Sequence, residues 1–416
     1  MPTDEPIFKD PEDPKFRFID LFAGIGGFHY ALQKLGGKCV FSCEIDKKAQ
    51  ETYAANFGQV TAGDIRLVNK VKDIADHDIL TAGFPCQAFS VAGHKKGFGD
   101  TRGTLFHEVL EVIKAKNPPV IFLENVKHLV KHDNSNTWNI ITEALKKEDY
   151  ITTKEPLVLS PNTYGIPQLR HRVYILGVKK HIFKKIYPNE DFLPVPHIAT
   201  VTNHKVLDKE VSTKYNISQQ NKRAITAWNQ VVKDPSRRTK ALKRFNGPKR
   251  TELKGFPIWL DEFGKTYALT AEPDWEKAYI RKNRQLYITH KEFFDKWLEL
   301  YQVLAMKKIH RKLEWHAKKD IKNIWDTYMQ IRQSGIRCKQ PPNFHTLVAI
   351  VQTPVLKTGN QVRYLTPRET ARLQSFPDTF QLHQEDKFAY KQIGNSVNTH
   401  IIEQLAKFLL PFLTSP

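Results

Sequence analysis

The sequence predicts an α/β protein: a mostly parallel, doubly wound sheet into which a smaller, basic domain is inserted. Three observations predict it. Short apolar runs alternate with amphipathic stretches from Lys15 to about Gly177, the rhythm of βαβ units whose strands are covered on both faces. The first of these runs leads directly into a glycine turn, GIGG at Gly24–Gly27. Finally, the net charge of +20 is concentrated in one place: Val178–Val362 holds 36 Lys and Arg against 17 Asp and Glu, leaving the remainder near neutral. A surface that was merely solvated would interleave its signs, so the middle segment reads as the seat of a polyanion, nucleic acid above all.

Taken in order, the strand candidates are Phe16–Phe22, Lys38–Ile45, Asp78–Ala82, Val120–Glu124 and Arg172–Val178. Helical patterns lie between them, such as GTLFHEVLEVIKAKN after Arg102. Ligands of such sheets bind beyond the carboxyl ends of the strands. From Lys179 to about His345 the rhythm is lost, and helical patches with scattered tryptophans do not alternate with strands. It resumes at Thr366-Pro367-Arg368-Glu369, a capping box with proline at the first helical position. That helix stops by Ser375–Pro377, and the final stretch from Ser396 has the periodicity of a helix docking back on the first domain.

A chain of 416 residues can bury two cores. No apolar run approaches the roughly 18 residues of a membrane span. The opening MPTDEPIFKDPEDPKF is acidic and proline-rich, unlike a signal peptide, which predicts a cytoplasmic protein. Four cysteines are too few and scattered for a disulfide framework or paired zinc motif. Cys39 and Cys43 read as small core residues on a buried strand, and Cys338 likewise. Cys86, in GFPCQAFS, has no such structural excuse.

The residues that carry chemistry sit at strand ends. In DLFAGIGGF, Gly24 and Gly26 let the backbone approach a ligand. Glu44, twenty residues beyond Gly24, is placed to accept from ribose hydroxyls. A G-x-G-x-x-G site would need glycine where His29 stands, so the turn points to an adenosyl ligand more than to NAD. Asp64 could bind an adenine amino group; taken alone, it would cap the helix that follows. Glu124 ends an apolar strand, where desolvation should raise its proton affinity, which suits hydrogen bonding to or protonation of a base ring. QLRHR places Arg170 and Arg172 at i and i+2, paired forks for a phosphate or carboxylate. After Cys86, SVAGHKKGFGDTRG has the look of a flap touching phosphates. A thiol on one strand end, a buried acid on the next, arginines and an adenosyl site form one constellation.

DLFAGIGG, GFPCQAFS, FLENV, QLRHR, RETARLQSFP and QIGNS resemble, in order and spacing, the motifs of the DNA cytosine-5 methyltransferases of the bacterial restriction-modification type. The resemblance covers both ends of the chain and leaves only the basic middle unmatched. It implies the S-adenosylmethionine-dependent methyltransferase fold, with residues 1–184 and 385–416 as catalytic domain and 185–384 as DNA target-recognition domain. By this resemblance Cys86 attacks carbon-6 of a cytosine flipped out of the duplex. Glu124 contacts ring nitrogen-3 and the exocyclic amine, and Arg172, with Arg170 in support, holds the base and Glu124. Phe22, Ala23, Gly24, Ile25, Gly26, Gly27, Glu44, Ile45, Asp64, Ile65, Pro85, Leu105, Asn395 and Val397 match positions of the S-adenosylmethionine pocket. No metal is implied. The implied setting is a nucleoid-associated cytoplasmic enzyme acting as a monomer on double-stranded DNA, apart from membranes, and functionally paired with a restriction endonuclease.

Ala92 departs from the family, which often has a small hydroxyl residue at that flap position. Rival readings fit less well. NPPV at Asn117 lacks the aromatic of an amino-methyltransferase loop and precedes a strand. The Cys-Phe-Thr tripeptide usual in transfer-RNA methyltransferases of this fold is absent. A catalytically dead DNA-binding regulator would have no use for Cys86, Glu124 and Arg172 together.

Overall fold

The computed structural model describes residues 5–85, 105–202, 204–233, 257–317, 321–349 and 354–413. The chain divides into two compact units: Met1–Val206, Val348–Ile350 and Pro367–Pro416 form the first, Leu207–Leu347 and Val351–Thr366 the second.

The first unit opens with β1 (Phe16–Leu21), α1 (Gly27–Gln33), β2 (Gly37–Cys43), α2 (Lys47–Phe57), β3 (Ile79–Ala82), α3 (Leu105–Lys116) and β4 (Val120–Val126). It continues through α4 (Asn136–Lys147), β5 (Tyr150–Thr152), β6 (Leu157–Leu159), β7 (Arg172–Lys179) and α5 (Lys180–Ile186). The sheet order is β2-β1-β3-β4-β7-β5, with β6 also on β7. β1 to β4 pair in parallel; β7 is antiparallel to β4, β5 and β6, so six strands point one way and β7 alone the other. Local signals set the helix ends where they occur. Asp46 accepts from the Lys48 and Ala49 amides at the start of α2, and Gly58, at φ 67°, closes it.

Strand alternation builds two cores, one on each face of the sheet. Phe18, Ile79, Val120, Phe122, Leu176 and Val178 lie in one, while Ile19, Leu80, Ile121, Leu123, Val173 and Ile175 lie in the other. Cys39 belongs to the first core and Cys43 to the second, both fully enclosed.

The second unit holds α6 (Gln219–Lys233), β8 (Ile258–Trp259), α7 (Asp274–Thr289), α8 (Lys291–Tyr301) and β9 (Lys312–His316). Then come β10 (Tyr328–Arg332), β11 (Gly335–Lys339), β12 (Val355–Thr358) and β13 (Gln361–Tyr364). Its six-stranded sheet has the order β13-β12-β10-β11-β9-β8. The expectation that helical patches here do not alternate with strands is corrected to this extent: a six-stranded sheet accompanies the helices. These strands are two to five residues long, too short to leave a clear period. Trp228, Trp297, Leu313, Ile336 and Cys338 pack in this unit's own core. The indole N–H groups of Trp228 and Trp297 donate to the carbonyls of His310 and Ala227, each at 2.8 Å.

The chain returns to the first unit with α9 (Pro367–Leu373), α10 (Asp386–Asn395) and α11 (Thr399–Leu409). Ile401, Ile402, Leu405 and Leu409 of α11 join the core that contains Phe28, Ala31 and Leu32 of α1. The boundaries differ from the expected 184 and 385. Leu193 and Ile198 pack in the first unit's core, and the Leu193 and Val201 amides donate to Thr152 and Tyr164. On the far side, Asn56 and the Gln381 backbone exchange two hydrogen bonds. Among the described residues no helix is long and apolar enough to cross a membrane.

Phe122 is fully buried and meets Phe28 edge-on at 5.1 Å. Phe122→Ala should cost about 3–5 kcal/mol in urea unfolding; a loss within about 0.5 kcal/mol, as at a surface site, would contradict this core assignment.

Candidate active site

The carboxyl ends of β1, β2, β3 and β4 open on one cavity of about 660 Å³ within the first unit, in the size range of small-molecule sites. After β1 the backbone turns through positive φ at Phe22 (58°), Gly24 (56°) and Gly26 (86°). A Cβ on Gly26 would stand 2.2 Å from the Phe57 ring, whereas one on Gly24 would meet nothing within 4 Å. Gly26 is thus required by packing, and Gly24 keeps backbone open to the cavity. The turn is held by Glu44, whose two oxygens accept from the amides of Gly24 (2.8 Å) and Asp46 (2.7 Å). A carboxylate offers about four acceptor sites, so Glu44 retains capacity for two hydroxyl donors.

Glu124 sits in β4 after four fully buried apolar residues and is itself buried. Arg172 opens β7, and its Nε lies 2.9 Å from Glu124 Oε1. Burial raises the proton affinity of Glu124, while Arg172 and Arg170 oppose the shift. Arg170 is also buried, and its Nη2 donates to the carbonyls of Gly394 (3.0 Å) and Ser396 (2.8 Å). Burial, then the Arg172 charge, pushes its pKa down to about 9, still cationic at neutral pH. Arg172 thus touches the carboxylate directly, while Arg170 braces the QIGNS segment and adds its field.

The loop after β3 passes this carboxylate closely: a Cβ on Gly83 would be 3.9 Å from Glu124 Oε2. Gly83, Phe84 and Pro85 all line the cavity. Cys86, the next residue, lies outside the described residues, as do the flap and Ala92. Of the other expected positions, Phe22, Gly24, Ile25, Glu44, Ile45, Asp64, Ile65, Leu105, Asn395, Glu124, Arg170 and Arg172 line the same space. Ala23, Gly26, Gly27 and Val397 do not; Val397 packs in the core, with Cγ2 2.6 Å from where a Gly27 Cβ would stand. Asp64 caps a short 3-10 turn through the Arg66 amide, as its cap reading expects, and also binds the Arg66 guanidinium.

Sequence reasoning overlooked three residues. Asn125 is buried beside Glu124 and donates to the Phe84 carbonyl at 2.8 Å, fixing the loop that leads to Cys86. An amide within an apolar strand was the available signal. Lys391 lines the cavity and pairs with Asp46 at 2.7 Å, and Gln392 ties α10 to the Lys48 carbonyl. Nothing local marks Lys391, and Gln392, although it opens the QIGNS motif, gives no sign of its bond to α2, because their partners are more than 300 residues away.

A glycine turn and two carboxylates, Glu44 and Glu124, at the carboxyl edge of an α/β sheet are the arrangement of enzymes that bind nucleoside cofactors. The model of the C-5 cytosine-specific DNA methylase family matches residues 16–410. The chain belongs to that family, and it is a DNA (cytosine-5-)-methyltransferase, with S-adenosylmethionine as the family's methyl donor. It is 36% identical to Type II methyltransferase M.HpaII of Haemophilus parainfluenzae, over 97% of this chain and 93% of that protein. To Type II methyltransferase M.HhaI of Haemophilus parahaemolyticus it is 32% identical, over 96% and 95%. The fold resembles the crystal structure of S. pombe Dnmt2 methyltransferase (TM-score 0.54, 17% identity, covering 95% of this chain and 99% of that one). It also resembles a putative DNA modification methyltransferase encoded within an E. coli prophage (TM-score 0.53, 21% identity, covering 96% and 100%).

One buried acid lies behind the site. Asp20 Oδ1 accepts from Thr81 at 3.1 Å, Oδ2 has no partner among the described residues, and burial pushes its pKa up to about 7 from 3.8. A raised carboxyl pKa contributes stability that is full below the unfolded value and lost as pH rises through the folded one. Relative to wild type, Asp20→Asn should therefore gain stability between about pH 4 and about pH 7 in urea unfolding. A pH-independent difference would contradict it.

Proposed function

We propose that the protein methylates carbon-5 of a specific cytosine in double-stranded DNA, flipping the base out of the duplex and bonding it transiently to Cys86. The observation that carries this reading is Glu124: a buried carboxyl group of raised proton affinity, paired with Arg172, beside the loop that leads to Cys86.

Carbon-5 of cytosine is a poor nucleophile, and addition of the Cys86 thiolate to carbon-6 makes it enamine-like. Glu124 accepts from the exocyclic amine and supplies hydrogen bonding or a proton to nitrogen-3, where charge gathers as sulfur adds. Arg172 orients the carboxylate and the ring, and Arg170 keeps the cavity wall in register. Asn125 holds the Phe84 carbonyl and so positions the thiol's loop. S-adenosylmethionine, when bound, supplies an electrophilic methyl group to carbon-5. A water molecule then takes the carbon-5 proton, the C–H electron pair re-forms the ring double bond, and the carbon-6–sulfur bond breaks to release the thiolate. An intact duplex hides carbon-6 within the base stack, which is why the base must leave it.

The cavity residues fit the donor. Glu44 has acceptor capacity left for ribose hydroxyls, Gly24 admits close approach of the methionyl portion, and Ile45, 66% exposed, offers an apolar surface for adenine. Asp64 lines the cavity and would meet the adenine amino group by exchanging part of its bonding to Arg66. The second unit, with most of the basic excess, would read the target sequence. The relatives are named Type II methyltransferases, which supports a modification enzyme of a restriction system; in that role it would act as a monomer, paired functionally with a restriction endonuclease.

Transfer of labelled methyl groups tests the reading, with duplex DNA and RNA offered in parallel. Wild type should label DNA; Cys86→Ser should be inactive at carbon-5, and Glu124→Gln should lower kcat by about 10²–10⁴-fold. Label on RNA alone, or an undiminished rate in Cys86→Ser, would overturn it.

A further inference from the structure

One face of the second unit's sheet is apolar and packs into its core through Leu313, Trp315, Met329, Ile336 and Cys338. Alternation sends Lys312, Glu314 and His316 of β9, Arg337 and Lys339 of β11 and Arg332 of β10 to the other face. There Glu314 Oε2 accepts from Arg332 Nη2 (2.8 Å) and Arg337 Nε (2.7 Å), and Lys312 Nζ lies 3.3 Å from Oε1. Burial works to raise the Glu314 pKa, but His316, Arg337 and Arg332 outweigh it and hold the carboxyl well below its usual range.

One carboxylate does not balance this group. Lys312, Arg332, Arg337 and Lys339 are four cations, and the Lys339 ammonium has no ion pair or hydrogen bond among the described residues. Two further groups lack partners. Arg332 Nε is buried without an acceptor, and so are both ring nitrogens of His345, which is 4% exposed. Burial, then the fields of Lys339, Arg337, Arg332 and His316, pushes the His345 pKa down to about 3, and Lys339 is lowered to about 8 by burial and Arg337. A buried donor without an acceptor and an uncompensated cationic cluster are both costly arrangements, and one anion relieves both.

The geometry points to an oxyanion site on this sheet face, in which Arg332, Arg337 and Lys339, set around Glu314 and backed by His345, hold a backbone phosphate of DNA. The inference rests on the reading of the second unit as the DNA-binding part. A phosphate suits the face better than a base edge. The guanidinium forks are already partly committed to Glu314, and what remains over is charge, which phosphate contacts use and base readout does not require. Glu314 is a positioning residue, fixing where the two forks stand.

The test measures binding to a mixed-sequence duplex across a salt series, with wild type, Lys339→Gln, Arg337→Gln and Lys339→Arg. Thermal shift with inorganic phosphate is run on the same proteins. Lys339→Gln and Arg337→Gln should bind DNA more weakly, and each should lower the slope of log K against log salt by about 0.9. Lys339→Arg should behave as wild type. Should Arg337→Gln misfold by stranding Glu314, Lys339→Gln carries the test, since its side chain has no described partner to strand. Wild-type slopes in both Gln variants overturn the inference and leave the proposed function standing. Loss of phosphate-induced stabilisation with DNA affinity unchanged also overturns it, since the site would then serve a free anion. Salt-insensitive or absent binding by wild type overturns this inference together with the DNA reading of the unit.

Discussion

The direction of β7 is the constraint on which the site depends. In the parallel part of the sheet, only carboxyl ends of strands reach the cavity, and β1 to β4 deliver the glycine turn, Glu44, the Gly83–Pro85 loop and Glu124 there. An arginine at the start of a parallel strand would emerge at the opposite edge. Because β7 runs antiparallel, its first residue, Arg172, pairs with Val126 at the end of β4, within ion-pair reach of Glu124. A buried carboxylate with no cation nearby would tend to keep its proton, and the buried Arg170 beside the half-buried Arg172 would be costly with no carboxylate. Together they give Glu124 a proton affinity that burial raises and the two arginines restrain, which suits a group that hydrogen-bonds to a base ring.

The same geometry explains how remote parts of the chain become local. Arg170 bonds to carbonyls of Gly394 and Ser396, Lys391 pairs with Asp46, and α11 packs on α1. The C-terminal helices therefore close the wall of a cavity whose floor was built by the first 130 residues or so. The second unit lies in sequence between these two parts, with a core of its own. Such an arrangement lets the basic segment vary without disturbing the strand ends that do the chemistry.

Much of this was legible in the sequence. The strand expected at Phe16–Phe22 spans Phe16–Leu21, that at Arg172–Val178 spans Arg172–Lys179, and the helix at Thr366–Glu369 begins at Pro367. Long apolar runs and capping residues carry strong local signals. The three-residue strands β5 and β6 do not, and neither does the reversal of β7, because an apolar run has no direction. The second unit's short strands were missed for the same reason. Among site residues, those marked by type and position, such as Glu44, Glu124 and Arg172, come together in space. Val397 does not reach the cavity because its neighbourhood in QIGNS serves two purposes: Asn395 faces the cavity and Val397 fills the core behind Gly27. Asn125 was overlooked because its role is to hold a backbone carbonyl, which no residue pattern announces.

The central claim is a covalent bond between one sulfur and a pyrimidine carbon, and it can be caught directly. Duplex DNA amplified with 5-fluorocytosine in place of cytosine holds every potential target, and fluorine cannot leave carbon-5 as a proton does. With the methyl donor present, elimination is blocked, so protein and DNA should remain joined through denaturation, with the mass increment on the peptide that contains Cys86. The same increment on another residue, or an equal yield of adduct from Cys86→Ser, would contradict the account.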